Sequence, residues 1–191
     1  MPSNSGRFGS ANPDISNTTF FANTAFKGGA VYNLQPGAYR INNATFSYNN
    51  AHYGGAIYNF RTGLLLGVRP RVSNTILWAN LATIRGNGIE NEAAVVDVYH
   101  SVMEGTCPPG ATCTNVVDTS PLLSGLSDHG GFTKTMMPSA GGSAVDAGDD
   151  ATCSVIDQRG IGRPEGSHCD IGAVERSAFD DTIFKDDFEP Y

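Results

Sequence analysis

The sequence predicts an all-β chain in which short strands stack as the coils of a solenoid, and two observations carry that expectation. The first is a repeat: Phe20-Phe21-Ala22-Asn23 followed by Gly28-Gly29-Ala30-Val31-Tyr32-Asn33 returns as Phe46-Ser47-Tyr48-Asn49 and Gly54-Gly55-Ala56-Ile57-Tyr58-Asn59, with one offset of 26 residues from Ile15/Ile41 through Asn33/Asn59. A repeat of that length is one structural unit. The second is periodicity: within each copy the apolar residues alternate or fall in short runs bounded by Gly and Asn, and no window holds a helical spacing.

A third copy, Val72-Ser73-Asn74-Thr75-Ile76-Leu77-Trp78-Ala79-Asn80, lies over the first two at an offset of 31 from the second. The five extra residues fall between Asn59 and Val72, a segment with Gly63, Gly67 and Pro70 that reads as a surface loop. The glycine motif of this copy is reduced to Gly88-Ile89-Glu90-Asn91. Three asparagine columns persist, Asn17/Asn43/Asn74, Asn23/Asn49/Asn80 and Asn33/Asn59/Asn91; fourteen of the fifteen asparagines precede position 92, so they belong to the repeat and not to a general bias. Strands of successive coils would pair in parallel about 4.8 Å apart, stacking like on like. Ile15/Ile41/Val72 and Phe20/Phe46/Leu77 are the expected interior stacks. Asn23, Asn49 and Asn80 are expected at left-handed corners with bonded amides, and Gly28, Gly29, Gly54 and Gly55 at the other tight corner. The competing reading is a β-sandwich with two coincidentally similar hairpins; a fixed offset across a whole unit, echoed a third time, argues against it.

Taken in order, the chain divides into a polar lead-in at 1–14, coils at 15–117, C-terminal coils and a cap at 118–176, and an acidic tail at 177–191. The segment Val95 through Gly105 alternates as a fourth, degenerate coil, and a cysteine loop then interrupts the array. At 191 residues the chain can bury one substantial core. Its charged fraction of 16% sits below the usual roughly 25%, while its 23 glycines exceed the common share of about 7%, a balance that suits corner-rich β structure. A net charge of -7, with twelve scattered Lys and Arg, argues against a nucleic-acid partner. No apolar run reaches membrane-spanning length. Met1-Pro2-Ser3-Asn4 is polar and no signal peptide is read, so an exported chain would lack its true start here.

The four cysteines form two local pairs, Cys107 with Cys113 and Cys153 with Cys169. Two disulfides in an oxidising compartment are expected. A metal site is the alternative, but neither pair has the spacing of a zinc knuckle and no His lies in register with them.

The pairing of Phe-x-x-Asn with Gly-Gly-Ala-Val or Gly-Gly-Ala-Ile resembles the repeat of the polymorphic outer-membrane-protein family, over residues 15 to about 105. That family lies within the right-handed parallel β-helix group that also holds the pectin-lyase-like proteins. The resemblance implies an all-β right-handed parallel β-helix, and because an open end of such a solenoid exposes unpaired strand groups, a disulfide-stapled C-terminal cap is expected. A second resemblance covers roughly 118–175: Ser120-Pro121-Leu122-Leu123, Leu126-Ser127-Asp128-His129-Gly130-Gly131-Phe132-Thr133, Ser143-Ala144-Val145-Asp146-Ala147-Gly148, Asp157-Gln158-Arg159-Gly160, Arg163-Pro164 and Cys169-Asp170-Ile171-Gly172-Ala173-Val174-Glu175 are similar to the C-terminal region termed the choice-of-anchor Q domain. It implies a bacterial secreted, cell-surface or outer-membrane protein and supplies no catalytic residues. In the expected cap, the Cys153–Cys169 bridge staples the 157–160 loop to a final strand at 171–174. Arg159 and Arg163, among Asp146, Asp149, Asp157, Asp170 and Glu175, suggest buried ion pairs, with a catalytic Asp–Arg cluster as the sharper alternative. The tail is similar to an Ile-Phe-x-Asp-Gly-Phe-Glu ending of some exported bacterial proteins, but Asp187 stands in place of the glycine, which weakens a sorting role.

No catalytic residues are assigned and no cofactor or metal is expected; calcium at Asp146-Ala147-Gly148-Asp149-Asp150 is a candidate that lacks the spacing of a known loop. Enzymes on such scaffolds need a carboxylate cluster or paired aspartates, and between 15 and 94 the acidic residues are only Glu90 and Glu92. Asp97, Tyr99, His100 and Glu104 form the best local group, since alternate residues share one face of a strand. The candidate binding residues are Trp78, Tyr53, Asp97, Tyr99 and His100, with Lys27 and the loop 60–71 also outward. His52 stands in a column with Phe26, and His129 and His168 have no evident partner. The expected function is a non-catalytic bacterial surface or secreted module, adhesin-like, stalk or glycan-contacting, whose partner is a polysaccharide or a host or cell-surface ligand. The alternative is the C-terminal part of a polysaccharide lyase or glycoside hydrolase.

Overall fold

The computed structural model describes residues 12–34, 37–62, 69–177 and 180. Nearly all of the 1–14 and 177–191 segments and the centre of the 60–71 loop lie outside the described residues. Within them the chain is all-β, with almost no helix and two disulfides, Cys107–Cys113 and Cys153–Cys169. No helix among the described residues is long and apolar enough to cross a membrane.

Three parallel sheets arise because the chain presents the same three strand segments in each repeat unit. The major sheet joins β1 (Asp14–Phe21), β3 (Arg40–Ser47), β6 (Arg71–Ser73), β7 (Ile76–Trp78), β10 (Val96–Met103) and β11 (Ala111–Val117). A two-stranded sheet pairs β4 (Asn50–Tyr53) with β8 (Leu81–Arg85), and a three-stranded sheet orders β2 (Val31–Leu34), β5 (Ile57–Phe60) and β9 (Ile89–Glu92). This arrangement fits a β-helix-like class. Its registers are those of the repeat: Ile15 pairs with Ile41, Ile41 with Val72 and Val72 with Val98, while Phe20, Phe46, Leu77 and Met103 form a parallel stack. Ile41, Phe46, Val72, Leu77, Val98 and Met103 are buried in one core, and the Phe20 and Phe46 rings stack 4.6 Å apart. The β9 register adds one residue to the offset of 31, and a bulge in the β4–β8 pairing between Ala51 and Tyr53 absorbs it. After β10 the Cys107–Cys113 loop replaces two sides of a unit, so β11 returns to the major sheet at an offset of only 15, with Val98 opposite Cys113.

Each strand of the major sheet bends at one left-handed residue. Asn17, Asn43, Asn74, His100 and Asn115 take φ of 48°, 47°, 46°, 42° and 52°. Asn and His are among the side chains that tolerate this conformation. At the next corner the left-handed residue is not Asn23, Asn49 or Asn80 but the one before each, Ala22, Tyr48 and Ala79. The asparagines there serve as a hydrogen-bonded ladder: Asn23 Nδ2 donates to Asn49 Oδ1 and Asn49 Nδ2 to Asn80 Oδ1, both at 2.9 Å. Asn33, Asn59 and Asn91 repeat the ladder at 2.9 and 2.8 Å, and the buried Tyr39 hydroxyl donates to Asn59 Oδ1 at 3.0 Å. The two glycines of each Gly-Gly differ in role. Gly28 and Gly54 have positive φ, whereas a Cβ on Gly29 would sit on the Gly55 carbonyl oxygen of the next unit. In the third copy the left-handed glycine is Gly86, two residues before the motif read from the sequence, because β9 aligns Ile89 with Ile57.

The C-terminal region departs from the expected cap. It runs back along the outer side of the repeat units instead of closing an end. Leu123, Ala144 and Ile171 pack on Ile76 and Val102, the Ala173 N–H donates to Thr45 Oγ1 at 3.0 Å, and Thr19 donates to Gln158 Oε1. Thr19, Thr45, Ile76 and Val102 are register partners on the outer face, and their apolar members require this cover. Residues 171–174 are therefore not a strand: Gly172 donates sideways to the Asn74 carbonyl at 2.8 Å, with its Cα against Ile76. Two buried ion pairs hold the region together, Arg159 with Asp157 at 2.9 Å and Arg163 with Glu175 at 2.8 Å. Glu175 also accepts the Asp170 and Glu165 N–H groups, so the carboxylate is satisfied on both oxygens. Burial pushes the Asp170 carboxyl up to about 7, opposed by the Asp146 and Arg176 N–H groups that it accepts.

Replacing Asn49 with Ala would orphan the buried groups it serves on two neighbouring units. Asn49→Ala should cost about 1–3 kcal/mol in denaturant unfolding, and Asn23→Ala, at the exposed end of the ladder, clearly less. Equal costs would remove the ladder from the account.

Candidate functional site

The outer face of the first half of each major-sheet strand carries two polar columns. One runs Asp14, Arg40, Arg71, Asp97 and Thr112; the other runs Ser16, Asn42, Ser73, Tyr99 and Thr114. Beside them the 149–154 segment forms a wall, anchored by the left-handed asparagines. Asn74 Oδ1 accepts the Asp149 N–H at 2.8 Å, Asn43 Oδ1 accepts the Ser154 N–H at 2.9 Å, and Asn42 Nδ2 donates to the Thr152 carbonyl at 2.8 Å. The Cys153–Cys169 disulfide ties this wall to the rest of the C-terminal region. Between face and wall lies a cleft of about 430 Å³ lined by Asp14, Ser16, Arg40, Asn42, Arg71, Ser73, Thr152 and Ser154.

The charges on this face are unequal. Asp97 is held by Arg69, whose Nη2 approaches Oδ1 to 2.6 Å and also donates to Thr112 Oγ1 at 2.7 Å. The Asp97 carboxylate in turn holds the Arg69 guanidinium above its ordinary pKa. Arg71 stacks on the Tyr99 ring at 4.4 Å, and its Nε is buried without a partner among the described residues. Neither Arg40 nor Arg71 has an ion pair among the described residues. Asn42 is oriented by the donors Ser73 Oγ, at 3.0 Å, and Asn74 Nδ2, at 3.2 Å.

The residues singled out in the sequence separate. Asp97 and Tyr99 lie on this face. His100 is the left-handed corner of β10 and faces Asn115, its Nε2 3.0 Å from Nδ2. Trp78 packs beside the C-terminal region. Tyr53 lies on another face in a cluster with Lys27, Tyr58, Phe60, Arg85 and Glu92. There Lys27 Nζ donates to Tyr58 Oη at 2.7 Å, sits 4.5 Å from that ring, and pairs with Glu92, which also accepts the Tyr58 hydroxyl. The Tyr58 bond raises the Lys27 pKa and lowers that of Glu92, so the pair is an internal clasp. Arg40 and Arg71 were missed, although a signal exists: each precedes its stacked apolar residue, Ile41 or Val72, at the same repeat position.

No group of three or more His, Cys, Asp or Glu side chains converges on a metal-sized site among the described residues. In the 146–150 stretch Asp146 accepts the His168 N–H, Asp149 the Thr152 hydroxyl, and Asp150 the Cys169 N–H. Comparison with protein-family profiles, curated protein sequences and solved structures finds no match to this chain.

His129 sits in a polar nest across the antiparallel pair Ser127–Thr135, with Nε2 3.1 Å from Ser127 Oγ and Nδ1 3.1 Å from the Thr135 carbonyl. Burial lowers its pKa below the ordinary histidine value, and nearby Arg159 adds to the effect. A depressed histidine pKa means that the unfolded chain binds the proton more readily, so stability present above about pH 6.5 should be lost as pH falls through that range. Comparing His129→Asn with the parent chain across pH 5–8 isolates this contribution. The substitution should flatten the acid side of the curve; parallel curves would contradict the assignment.

Proposed function

We propose that this chain is a non-catalytic module of a bacterial secreted or cell-surface protein: a right-handed parallel β-helix whose major-sheet cleft contacts a polysaccharide or another surface ligand. The observation that carries the reading is the cleft itself, an open groove floored by a repeated row of hydroxyl and amide groups and walled by a disulfide-stapled segment. Such a surface offers donors and acceptors at fixed spacing on rigid elements, which suits recognition of an extended hydroxylated chain. The two disulfides favour an oxidising, extracytoplasmic setting.

The second reading, part of a polysaccharide lyase or glycoside hydrolase, draws on Asp97 and Tyr99 on the same face of the sheet. Against it, the Asp97 carboxylate is already bound by Arg69, and Asp14, the acid that lines the cleft, lies three strands away in the order β1-β3-β6-β10. Incubation with pectate, alginate and related polymers decides between the two. The module reading expects retention of polymer on the immobilised chain with no fall in solution viscosity; depolymerisation that disappears in Asp97→Asn would favour the enzyme.

A further inference from the structure

We propose that the cleft is an anion site for a polysaccharide bearing carboxylate or sulfate groups, with Arg40 and Arg71 as its charged contacts. This rests on the reading of the cleft as a ligand-contacting face and names the ligand class. Arg40 and Arg71 are register partners on adjacent parallel strands, so their Cα atoms stand one strand spacing, about 4.8 Å, apart. Like charges directly opposite one another destabilise a sheet. Their other register neighbours are Asp14, beside Arg40, and Asp97, beside Arg71; neither forms an ion pair with them among the described residues, and Asp97 is held by Arg69. Five other basic residues of the fold carry an ion pair: Arg69 with Asp97, Lys27 with Glu92, Arg85 with Glu90, Arg159 with Asp157 and Arg163 with Glu175.

The geometry suits an oxyanion. Tyr99 supports the flat face of Arg71, which fixes the guanidinium plane and lowers the ordering cost of bonding a ligand. A guanidinium can clasp a carboxylate or sulfate through two parallel bonds. The hydroxyls of Ser16 on one side and Ser154 on the other offer neutral partners to the sugar hydroxyls between charged groups, while Asn42 and Thr152 are engaged in holding the wall. Tyr99 is a positioning residue in this scheme, acting through Arg71.

Calorimetric titration of the full chain with sodium polygalacturonate, dextran sulfate and neutral dextran at one ionic strength tests the proposal. At least one polyanion should bind and dextran should not. A preference for polygalacturonate assigns carboxylate recognition, and the reverse assigns sulfate ester. The double variant Arg40→Gln/Arg71→Gln should keep its melting temperature and lose affinity about tenfold or more, in line with charge-assisted hydrogen bonds. Arg85→Gln, on another face, should stay within about twofold, the scale of an exposed surface charge. Tyr99→Leu should weaken binding several-fold, and Tyr99→Phe, which keeps the ring, should restore it. Unchanged affinity in the double variant, an equal loss in Arg85→Gln, or binding to neither polyanion would overturn the site. Binding of dextran as tight as that of the polyanions would also overturn it, while leaving the broader reading of a ligand-contacting cleft intact.

Discussion

In-register parallel stacking is the constraint on which the rest of this structure depends. Once strand spacing brings a residue directly over its counterpart in the next unit, each repeat position becomes a column, and each column must hold a residue that tolerates its own copy above and below. The interior columns satisfy this with Ile, Val, Phe, Leu and Met. The polar columns satisfy it with asparagine, whose amide donates to one neighbour and accepts from the other, so that Asn23, Asn49 and Asn80 form a continuous chain. Gly29 meets the same constraint from the opposite direction, because no side chain fits between its backbone and that of Gly55.

The left-handed column links the scaffold to the cleft. By bending each major-sheet strand at Asn17, Asn43 and Asn74, it frees the latter two amides to hold the backbone of the 149–154 segment alongside the sheet. The wall of the cleft is thus positioned by the same residues that turn the chain. The Cys153–Cys169 bridge and the buried Arg159–Asp157 and Arg163–Glu175 pairs then fix the far side of that wall. Loss of one partner in either pair would leave an uncompensated buried charge, so the region is built to stay closed.

Much of this was legible in the sequence because a repeat prints its own register. The offsets of 26 and 31 residues correctly place Ile15 on Ile41 and Ile41 on Val72, and the five-residue insertion falls between β5 and β6. What escaped has identifiable causes. The left-handed residue at the second corner is a neighbour of the asparagine, since Ala22, Tyr48 and Ala79 carry no polar signal for that conformation. The C-terminal region has no repeat of its own, so nothing in its sequence shows that it lies over Thr45, Ile76 and Val102 and not over an end. The cleft arises from that long-range docking. Asp97 and Tyr99 could be seen on one strand, but Arg40 and Arg71 gain their meaning only when the wall of Thr152 and Ser154 faces them.

The central claim is that Arg40 and Arg71 together form the ligand contact. Two-dimensional NMR of the arginine Nε–Hε groups, recorded while polygalacturonate oligomers are added, reads those side chains directly. The account predicts saturable shifts of the Arg40 and Arg71 signals at one common midpoint, with Arg85 and Arg163 unmoved. Uniform shifts across all arginines, or shifts that spare Arg40 and Arg71, would contradict it.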